Sequence, residues 1–185
     1  MQLPLQLQQA LEQELEKIPA SELALASAEL SASYRNPHRS KAPAIASVAQ
    51  RLAYAAMRMP ATYGAVHAVF SELKLREPNV RISTLLDLGA GPGTATWAAS
   101  PLFPDIKRST LIERESSLIE LGRKLAMNAG LSLNLQWVEQ NVLQPDAARH
   151  DLVILSYVIG ELAPRDLPKL IERAWNVTAG TLVLI

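Results

Sequence analysis

The stretch from Thr84 to Thr94 constrains the fold more than any other part of the chain. It reads Thr-Leu-Leu-Asp-Leu-Gly-Ala-Gly-Pro-Gly-Thr, and small, helix-compatible residues follow it as far as Ala99. This order predicts a buried strand, a tight glycine turn and a helix, in which the backbone passes close to a ligand at the carboxyl end of a parallel strand. A strand that leads straight into a helix in this way indicates an α/β architecture.

Several nucleotide-type ligands use such turns, and the spacing of the glycines separates them. A phosphate-binding P-loop requires Lys and then Ser or Thr after its last glycine, whereas Gly93 is followed by Thr94 and Ala95. A dinucleotide-binding turn, G-x-G-x-x-G, has its third glycine one residue later, where this chain has Thr94. The pattern present is Asp-x-Gly-x-Gly-x-Gly, beginning at Asp87. A tight turn without any ligand remains the alternative.

A second strand pattern lies at the distance that nucleoside binding requires. Residues 109–113 read as a strand that ends in Glu113, about twenty residues past the turn. A carboxylate at that point can accept hydrogen bonds from both hydroxyls of a ribose, so we predict that Glu113 binds ribose. The alternative is a solvated acid at a strand end, or one that is paired with Arg114.

From Arg81 onward, strand and helix patterns alternate, which predicts parallel strands joined by right-handed crossovers. We therefore expect an α/β domain over residues 79–185, with about five strands. The strands are predicted near 83–88, 109–113, 133–138, 151–156 and 181–185, and the helices near 93–100, 116–129 and 166–178. Gly180 is predicted to stop the last helix.

Residues 1–78 are predicted to form a helical N-terminal region. Leu7, Leu11 and Leu15 recur at helical spacing, and two further apolar stripes lie within 44–57 and 61–75. Pro60 is predicted to separate these last two stripes into different helices. The region also contains a basic segment, because residues 30–71 carry no acid. We expect this segment to face a polyanion. Its basic side chains are Arg35, Arg39, Lys41, Arg51 and Arg58.

Composition sets outer limits. The 185 residues are 49% apolar, enough for one sizeable core, and the formal net charge is zero. No apolar run approaches the roughly 20 residues that a membrane span needs, and no targeting signal is visible, which predicts a cytoplasmic protein that does not bind membranes. The chain has no cysteine, so thiolate metal sites are excluded and no metal is expected.

The glycine pattern resembles motif I of the class I S-adenosylmethionine-dependent methyltransferases, which implies a Rossmann-like fold and S-adenosylmethionine as cofactor. In that superfamily the turn wraps the amino-acid end of the cofactor, and the acid at the strand end helps to hold its ammonium group. The resemblance implies that a polar residue after the third strand, here Asn141, contacts the adenine, with a surface loop as the alternative. It also implies that Ser156 and Tyr157 border the methyl group, with loop packing as the alternative. The implied cofactor residues are Asp87, Gly89, Ala90, Gly91, Gly93, Thr94, Glu113, Asn141, Ser156 and Tyr157.

A more specific resemblance rests on three stretches in addition to the glycine turn. Arg58-Met-Pro-Ala-Thr-Tyr63, Glu113-Arg-Glu115 and Ser156-Tyr-Val-Ile-Gly-Glu-Leu162 resemble the mitochondrial small-ribosomal-subunit methyltransferase-like family and its bacterial relatives. The resemblance covers about residues 30–185. It implies association with small-subunit ribosomal RNA during assembly, with Arg58 and Tyr63 at the rim of the site. For Arg58, compensation of a helix dipole is the alternative.

The resemblance leaves three functions open: methyl transfer to ribosomal RNA, a ribosome-assembly factor that binds the cofactor without transfer, and a small-molecule methyltransferase. It also implies further strands and cysteines beyond those present here. We therefore expect the chain to lack its last strands, with 181–185 as an exposed edge that can self-associate. In a eukaryote, the resemblance places the protein in the mitochondrion.

Overall fold

The computed structural model describes residues 2–35, 47–144 and 147–185. Within these residues, six α-helices surround five β-strands. The helices are α1 (Leu5–Leu15), α2 (Ala20–Arg35), α3 (Val48–Arg76), α4 (Thr94–Ala99), α5 (Ser116–Asn128) and α6 (Leu167–Asn176). The strands are β1 (Thr84–Leu88), β2 (Arg108–Glu113), β3 (Asn134–Glu139), β4 (His150–Leu155) and β5 (Thr178–Leu184). None of the helices in these ranges is long and apolar enough to cross a membrane.

The strands form one parallel sheet in the order β3-β2-β1-β4-β5. β1 and β4 are almost continuous apolar runs that are buried on both faces, as the central strands of a parallel sheet should be. The chain builds outward from β1 to β3 and then returns to β4, so the topological switch point lies between β1 and β4. Open parallel sheets bind ligands at this point. The predicted parallel α/β sheet is confirmed.

Helices cover the two faces of the sheet unequally. Leu85, Leu152 and Ile154 face a large core that is shared with α1, α3, α4 and α5. Leu86 and Val153 face the opposite side, where residues of α6 complete a smaller core. The N-terminal helices α1 and α3 therefore share one apolar core with the sheet.

Pro60 does not interrupt the helix, so this prediction is wrong. α3 runs unbroken for 29 residues with Pro60 inside it. An interior proline costs about 3 kcal/mol, because it removes a hydrogen bond and crowds the preceding turn. The cost is offset because one buried stripe, consisting of Ala55, Met59, Tyr63 and Val66, continues at helical spacing past the proline. Burying a side chain of the size of Met59 or Val66 contributes about 2 kcal/mol.

Gly180 was predicted to stop the last helix, and that prediction is also wrong. α6 ends at Asn176, and Gly180 lies inside β5. A Cβ atom at Gly180 would stand 2.6 Å from the carbonyl oxygen of Asp151, so glycine is needed for close approach of β5 to β4. The register between the two strands shifts at this place, opposite His150 and Leu152. The glycine therefore marks a bulge. β5 begins at Thr178, three residues earlier than expected. It is an edge strand of the sheet, and the predicted self-association would occur at this edge.

Asp151 joins the amino ends of β4 and β1. Its Oδ2 accepts hydrogen bonds from the backbone N–H groups and the hydroxyls of Ser83 and Thr84, at 2.6 to 3.1 Å. Burial alone would raise the pKa of Asp151, but these hydrogen bonds outweigh it and lower the pKa below its ordinary value. The carboxylate thus stabilises the folded chain only while it is ionised.

We expect Asp151→Asn to lower the free energy of unfolding by about 1–2 kcal/mol at pH 7, because hydrogen bonds to a charged acceptor are lost. A lowered folded-state pKa gives stability that is present above the unfolded-state value and lost as the pH falls through the folded-state value. The difference between variant and wild type should therefore shrink below about pH 4. Urea titrations at several pH values measure this, with the exposed Asp105→Asn as control. A difference that does not change with pH would contradict the prediction.

Candidate functional site

The glycine turn lies at the carboxyl end of β1, next to the switch point. Gly89, Gly91 and Gly93 all have positive φ values, of 75°, 54° and 85°. This alternation requires glycine, because a Cβ atom disfavours the left-handed region. The N–H groups of Gly89 and Ala90 donate to the carbonyl oxygen of Ile112 at 2.8 and 3.0 Å, and Gly93 donates to Ala90 at 2.8 Å. The turn is therefore fixed to β2 and to itself.

The three glycines face different surroundings. A Cβ atom on Gly89 would lie 2.2 Å from Val158, and one on Gly93 would lie 3.1 Å from Leu111. At Gly91, by contrast, no described atom lies within 4 Å of the Cβ position. Two of the glycines thus make room for the protein's own side chains. Gly91 is the one whose open side could lie against a ligand.

Glu113 points at the turn, and its binding of ribose stays a prediction. It is 7% exposed, and its Oε2 accepts a hydrogen bond from the N–H of Gly91 at 2.8 Å. Its Oε1 accepts from the N–H groups of Arg114 and Glu115 at 2.8 and 3.0 Å. The guanidinium of Arg114 lies 3.4 Å from Glu115, so within the described residues Arg114 forms its ion pair with Glu115 and not with Glu113. The carboxylate of Glu113 therefore accepts hydrogen bonds from three backbone N–H groups, one of them in the glycine turn.

Asp87 is the most unusual group of the site. It lies in β1, is 1% exposed, and neither of its carboxylate oxygens has a hydrogen-bond partner among the described residues. Burial, and secondarily the charge of Glu113, raises the pKa of Asp87 to about 7. A buried carboxylate is costly unless it is paired or protonated. The position therefore fits a cationic group, which would provide the missing partner.

The segment after β4 closes the other side of the site. Ser156 is half-buried, and Tyr157 is 54% exposed with a φ of 60°. The N–H of Tyr157 donates to the carbonyl oxygen of Ile185 at 2.9 Å, and the next residue, Val158, packs on Gly89. A bulky residue in the left-handed region is strained by about 1–3 kcal/mol, and such strain concentrates at functional sites.

We expect Tyr157→Gly to be more stable than Tyr157→Ala by about 1 kcal/mol, because only glycine relieves the positive φ. Comparing the two variants removes the effect of losing the ring. Thermal unfolding at one pH measures the difference. Equal melting temperatures would mean that the left-handed geometry stores no strain.

The remaining predicted cofactor residues lie around this centre. Ala90 and Thr94 are buried within the turn and at the start of α4. Asn141 follows β3 and is exposed, and its Oδ1 accepts a hydrogen bond from the N–H of Leu143 at 2.9 Å. This side chain therefore closes an Asx turn. Its contact with adenine stays a prediction.

The structure describes some of the predicted basic residues. Arg39 and Lys41 lie outside the described residues, and for Arg35 only the backbone, at the end of α2, is described. Arg51 is half-buried and Arg58 is exposed, both on α3. Their contact with RNA stays a prediction.

Tyr63 requires a correction, because the structure places it in the core rather than at the rim. It is 5% exposed and belongs to the buried stripe of α3, and its ring centroid lies 5.7 Å from that of His67. Burial raises the pKa of its hydroxyl. The resemblance put Tyr63 near Arg58, but five residues along a helix turn a side chain to a different face.

Three features of the site were missed in the sequence. Val158 fills the space beside Gly89, and Trp137 lies 2.5 Å from the Cβ position of Gly122 in α5. Gly122 interrupts the helical pattern of α5, and this glycine was the sequence signal that could have predicted its contact with Trp137. Burial raises the pKa of Glu161, the charges of Glu113 and Glu115 add to this rise, and the charges of Arg114 and Arg58 oppose it.

Solved structures with a similar fold include S-adenosylmethionine-dependent methyltransferases. An O-methyltransferase family protein from Burkholderia thailandensis superposes with a TM-score of 0.69 and 17% identity, over 88% of this chain and 52% of that one. Magnesium protoporphyrin IX methyltransferase from Synechocystis PCC 6803, solved with bound S-adenosylhomocysteine, gives a TM-score of 0.55 and 16% identity, over 66% of this chain and 54% of that one. The fold is thus that of the Rossmann-like class I methyltransferases.

The family follows from the sequence. The model of the family described as mitochondrial small ribosomal subunit Rsm22 matches residues 48–185. The chain belongs to this family, which confirms the resemblance. The human mitochondrial ribosome assembly protein METTL17 is 26% identical over 140 residues, which are 72% of this chain and 31% of that protein. The chain therefore spans about a third of the length of that relative.

Proposed function

We propose that this chain binds S-adenosylmethionine and acts in the assembly of the small ribosomal subunit. The observation that carries the proposal is the buried carboxylate of Asp87, which has no hydrogen-bond partner among the described residues and lies next to a glycine turn with open space at Gly91. Family membership and the name of the human relative support the ribosomal part. The protein would then be found where that subunit is assembled, in the cytoplasm of a bacterium or in the mitochondrion of a eukaryote.

The residues of the site fit the cofactor in chemistry and position. Asp87 would pair with its ammonium group, because a charge-assisted bond satisfies an otherwise costly buried carboxylate. Glu113 would accept hydrogen bonds from the ribose hydroxyls, and Asn141 would contact the adenine. Ser156 and Tyr157 would border the methyl group. When bound, the cofactor supplies an activated methyl group on its sulfonium.

Calorimetric titration of the purified chain with S-adenosylhomocysteine tests cofactor binding, and sedimentation with small subunits tests the ribosomal part. We expect binding in the first case. In the second case we expect cosedimentation that weakens with salt, since contacts between basic side chains and phosphate release counterions. A chain that binds neither the cofactor nor the subunit would contradict the proposal.

Methyl transfer to small-subunit ribosomal RNA is the second candidate function. The strained and exposed Tyr157 favours it, because such strain occurs where a substrate is held next to a reacting group. The assay is transfer of a labelled methyl group from the cofactor to RNA in immature subunits. Labelling of the RNA identifies an enzyme. Binding without labelling identifies an assembly protein that keeps the cofactor site and performs no transfer.

A further inference from the structure

The hydrogen bonds of the glycine turn are already complete within the chain. The N–H groups of Gly89 and Ala90 are bonded to Ile112, that of Gly93 is bonded to Ala90, and proline at position 92 has none. These three bonds join backbone to backbone. The N–H of Gly91 differs, because its partner is the side chain of Glu113, at 2.8 Å and 22 residues away.

The acceptor capacity of Glu113 makes this bond important. An ionised carboxylate offers about four acceptor positions. Three of these positions are already occupied by the N–H groups of Gly91, Arg114 and Glu115. The two hydroxyls of a ribose would bring the number of donors to five. Five donors exceed the number that a carboxylate usually accepts, so the ribose hydroxyls would compete with a donor that is already bound.

Gly91 is the donor that can leave. The N–H groups of Arg114 and Glu115 directly follow Glu113 in the chain, so they stay beside its carboxylate whatever the turn does. Gly91 belongs to a different segment, and the space on its Cα side is open. A movement of Gly91 would meet no described side chain on that side.

We propose that Glu113 is a positioning residue for the glycine turn: its carboxylate holds the turn through the N–H of Gly91 until a vicinal diol takes that place. The first half of this proposal concerns the chain alone, and the second half rests on the proposed binding of a nucleoside cofactor. The hydrogen bond between Gly91 and Glu113 would therefore fix the conformation of the turn before the cofactor binds. Binding of the ribose would break this bond.

Hydrogen exchange of the Gly91 amide in the chain without added ligand tests the first half. Glu113→Gln places an NH₂ group or a weaker acceptor opposite Gly91, and we expect exchange there to accelerate tenfold or more. Exchange at Gly93, whose partner is a carbonyl oxygen, should stay within twofold. Glu115→Gln keeps every backbone donor and is the matched control. Glu113→Asp is a second variant, because it can still accept from the amides that follow it but does not reach Gly91.

Unchanged exchange at Gly91 in both Glu113 variants would overturn the first half of the proposal, that Glu113 holds the turn. Equal acceleration at Gly91 and Gly93 would overturn it too, because that result indicates a general loss of stability.

Adenosine and 2′,3′-dideoxyadenosine test the second half of the proposal, because adenosine carries the vicinal diol and 2′,3′-dideoxyadenosine does not. We expect adenosine alone to displace the Gly91 amide proton resonance upfield. An identical change with both nucleosides would overturn the exchange of partners. If adenosine does not bind, the nucleoside site and the second half fail together, while the exchange measurements still decide the first.

Discussion

Asp87→Asn is expected to stabilise the chain without added ligand at pH 8 and to weaken its binding of S-adenosylhomocysteine. Asp87 is buried, no described residue forms a hydrogen bond with its carboxylate, and its pKa is raised from 3.8 to about 7. A carboxyl group with a raised folded-state pKa gives stability that is complete below the unfolded-state value and lost as the pH rises through the folded-state value. The shift predicts that the wild type loses about 2–3 kcal/mol between pH 5 and pH 8 through this group. Asparagine has no such loss.

Urea titrations of wild type and variant across this range measure the effect. The difference in the free energy of unfolding should favour the variant increasingly as the pH rises, and it should level off above about pH 7. Asp105→Asn, at an exposed position, controls for the general effect of removing one negative charge. A difference that is constant between pH 5 and pH 8 would show that Asp87 is not protonated in the folded chain.

The same variant should bind S-adenosylhomocysteine about 10–100-fold more weakly, because a hydrogen bond between charged groups contributes roughly 1.5–3 kcal/mol. For the wild type, affinity should increase as the pH rises towards 7, since pairing with an ammonium group requires the ionised carboxylate. Calorimetry in buffers of different ionisation enthalpy would detect the proton that is released. A more stable variant that binds with unchanged affinity would remove Asp87 from the site.

The two parts of this prediction describe one physical situation. A group that is costly to the folded chain alone, and whose cost a ligand removes, is typical of a binding site rather than of a core. The sequence showed an acid inside an otherwise apolar strand. It could not show that the acid would have no hydrogen-bond partner in the part of the chain that the structure describes, because that depends on which residues α3 and α4 bring to this face of the sheet.

The sheet was predictable because each strand carries a local pattern. Leu85 to Leu88 and the apolar run of β4 read as buried strands, and the glycines after Asp87 marked the turn. The two wrong predictions about helix ends, at Pro60 and Gly180, share one reason. Local preference was overridden by packing between elements that lie far apart in the sequence, and no pattern within a single element records such packing.

The site was predictable only to the level of residue types. The acid at the end of β2 and the acid in β1 were found at their expected distances. The different surroundings of the three glycines were not predictable, because Val158 follows β4, Leu111 lies in β2, and both reach the turn only in the folded sheet. For the same reason, the sequence could not reveal that the Gly91 amide is bonded to the carboxylate of Glu113.

Gly89→Ala and Gly91→Ala are expected to fail in different ways. The Cβ of Ala at position 89 would lie 2.2 Å from a methyl group of Val158, which is 8% exposed, at a φ of 75°. Overpacking and left-handed strain together should cost about 3 kcal/mol or more of unfolding free energy. Position 91 has a similar φ but open space, so Gly91→Ala should cost only about 1 kcal/mol. Its methyl group would instead occupy the side that faces the ligand, and affinity for S-adenosylhomocysteine should fall at least tenfold.

Val158→Ala separates overpacking from strain, because it removes the methyl groups that meet the new Cβ at position 89 but leaves the backbone φ unchanged. In a double-mutant cycle, Val158→Ala should cost stability in the wild-type background and recover stability in the Gly89→Ala background. The coupling energy should be about 1–3 kcal/mol. Gly91→Ala combined with Val158→Ala should show no such coupling, since Val158 does not lie near that position. Equal losses of stability at both glycines, or strong coupling at Gly91, would mean that the turn is closed by the protein itself. No side of it would then be left for a cofactor.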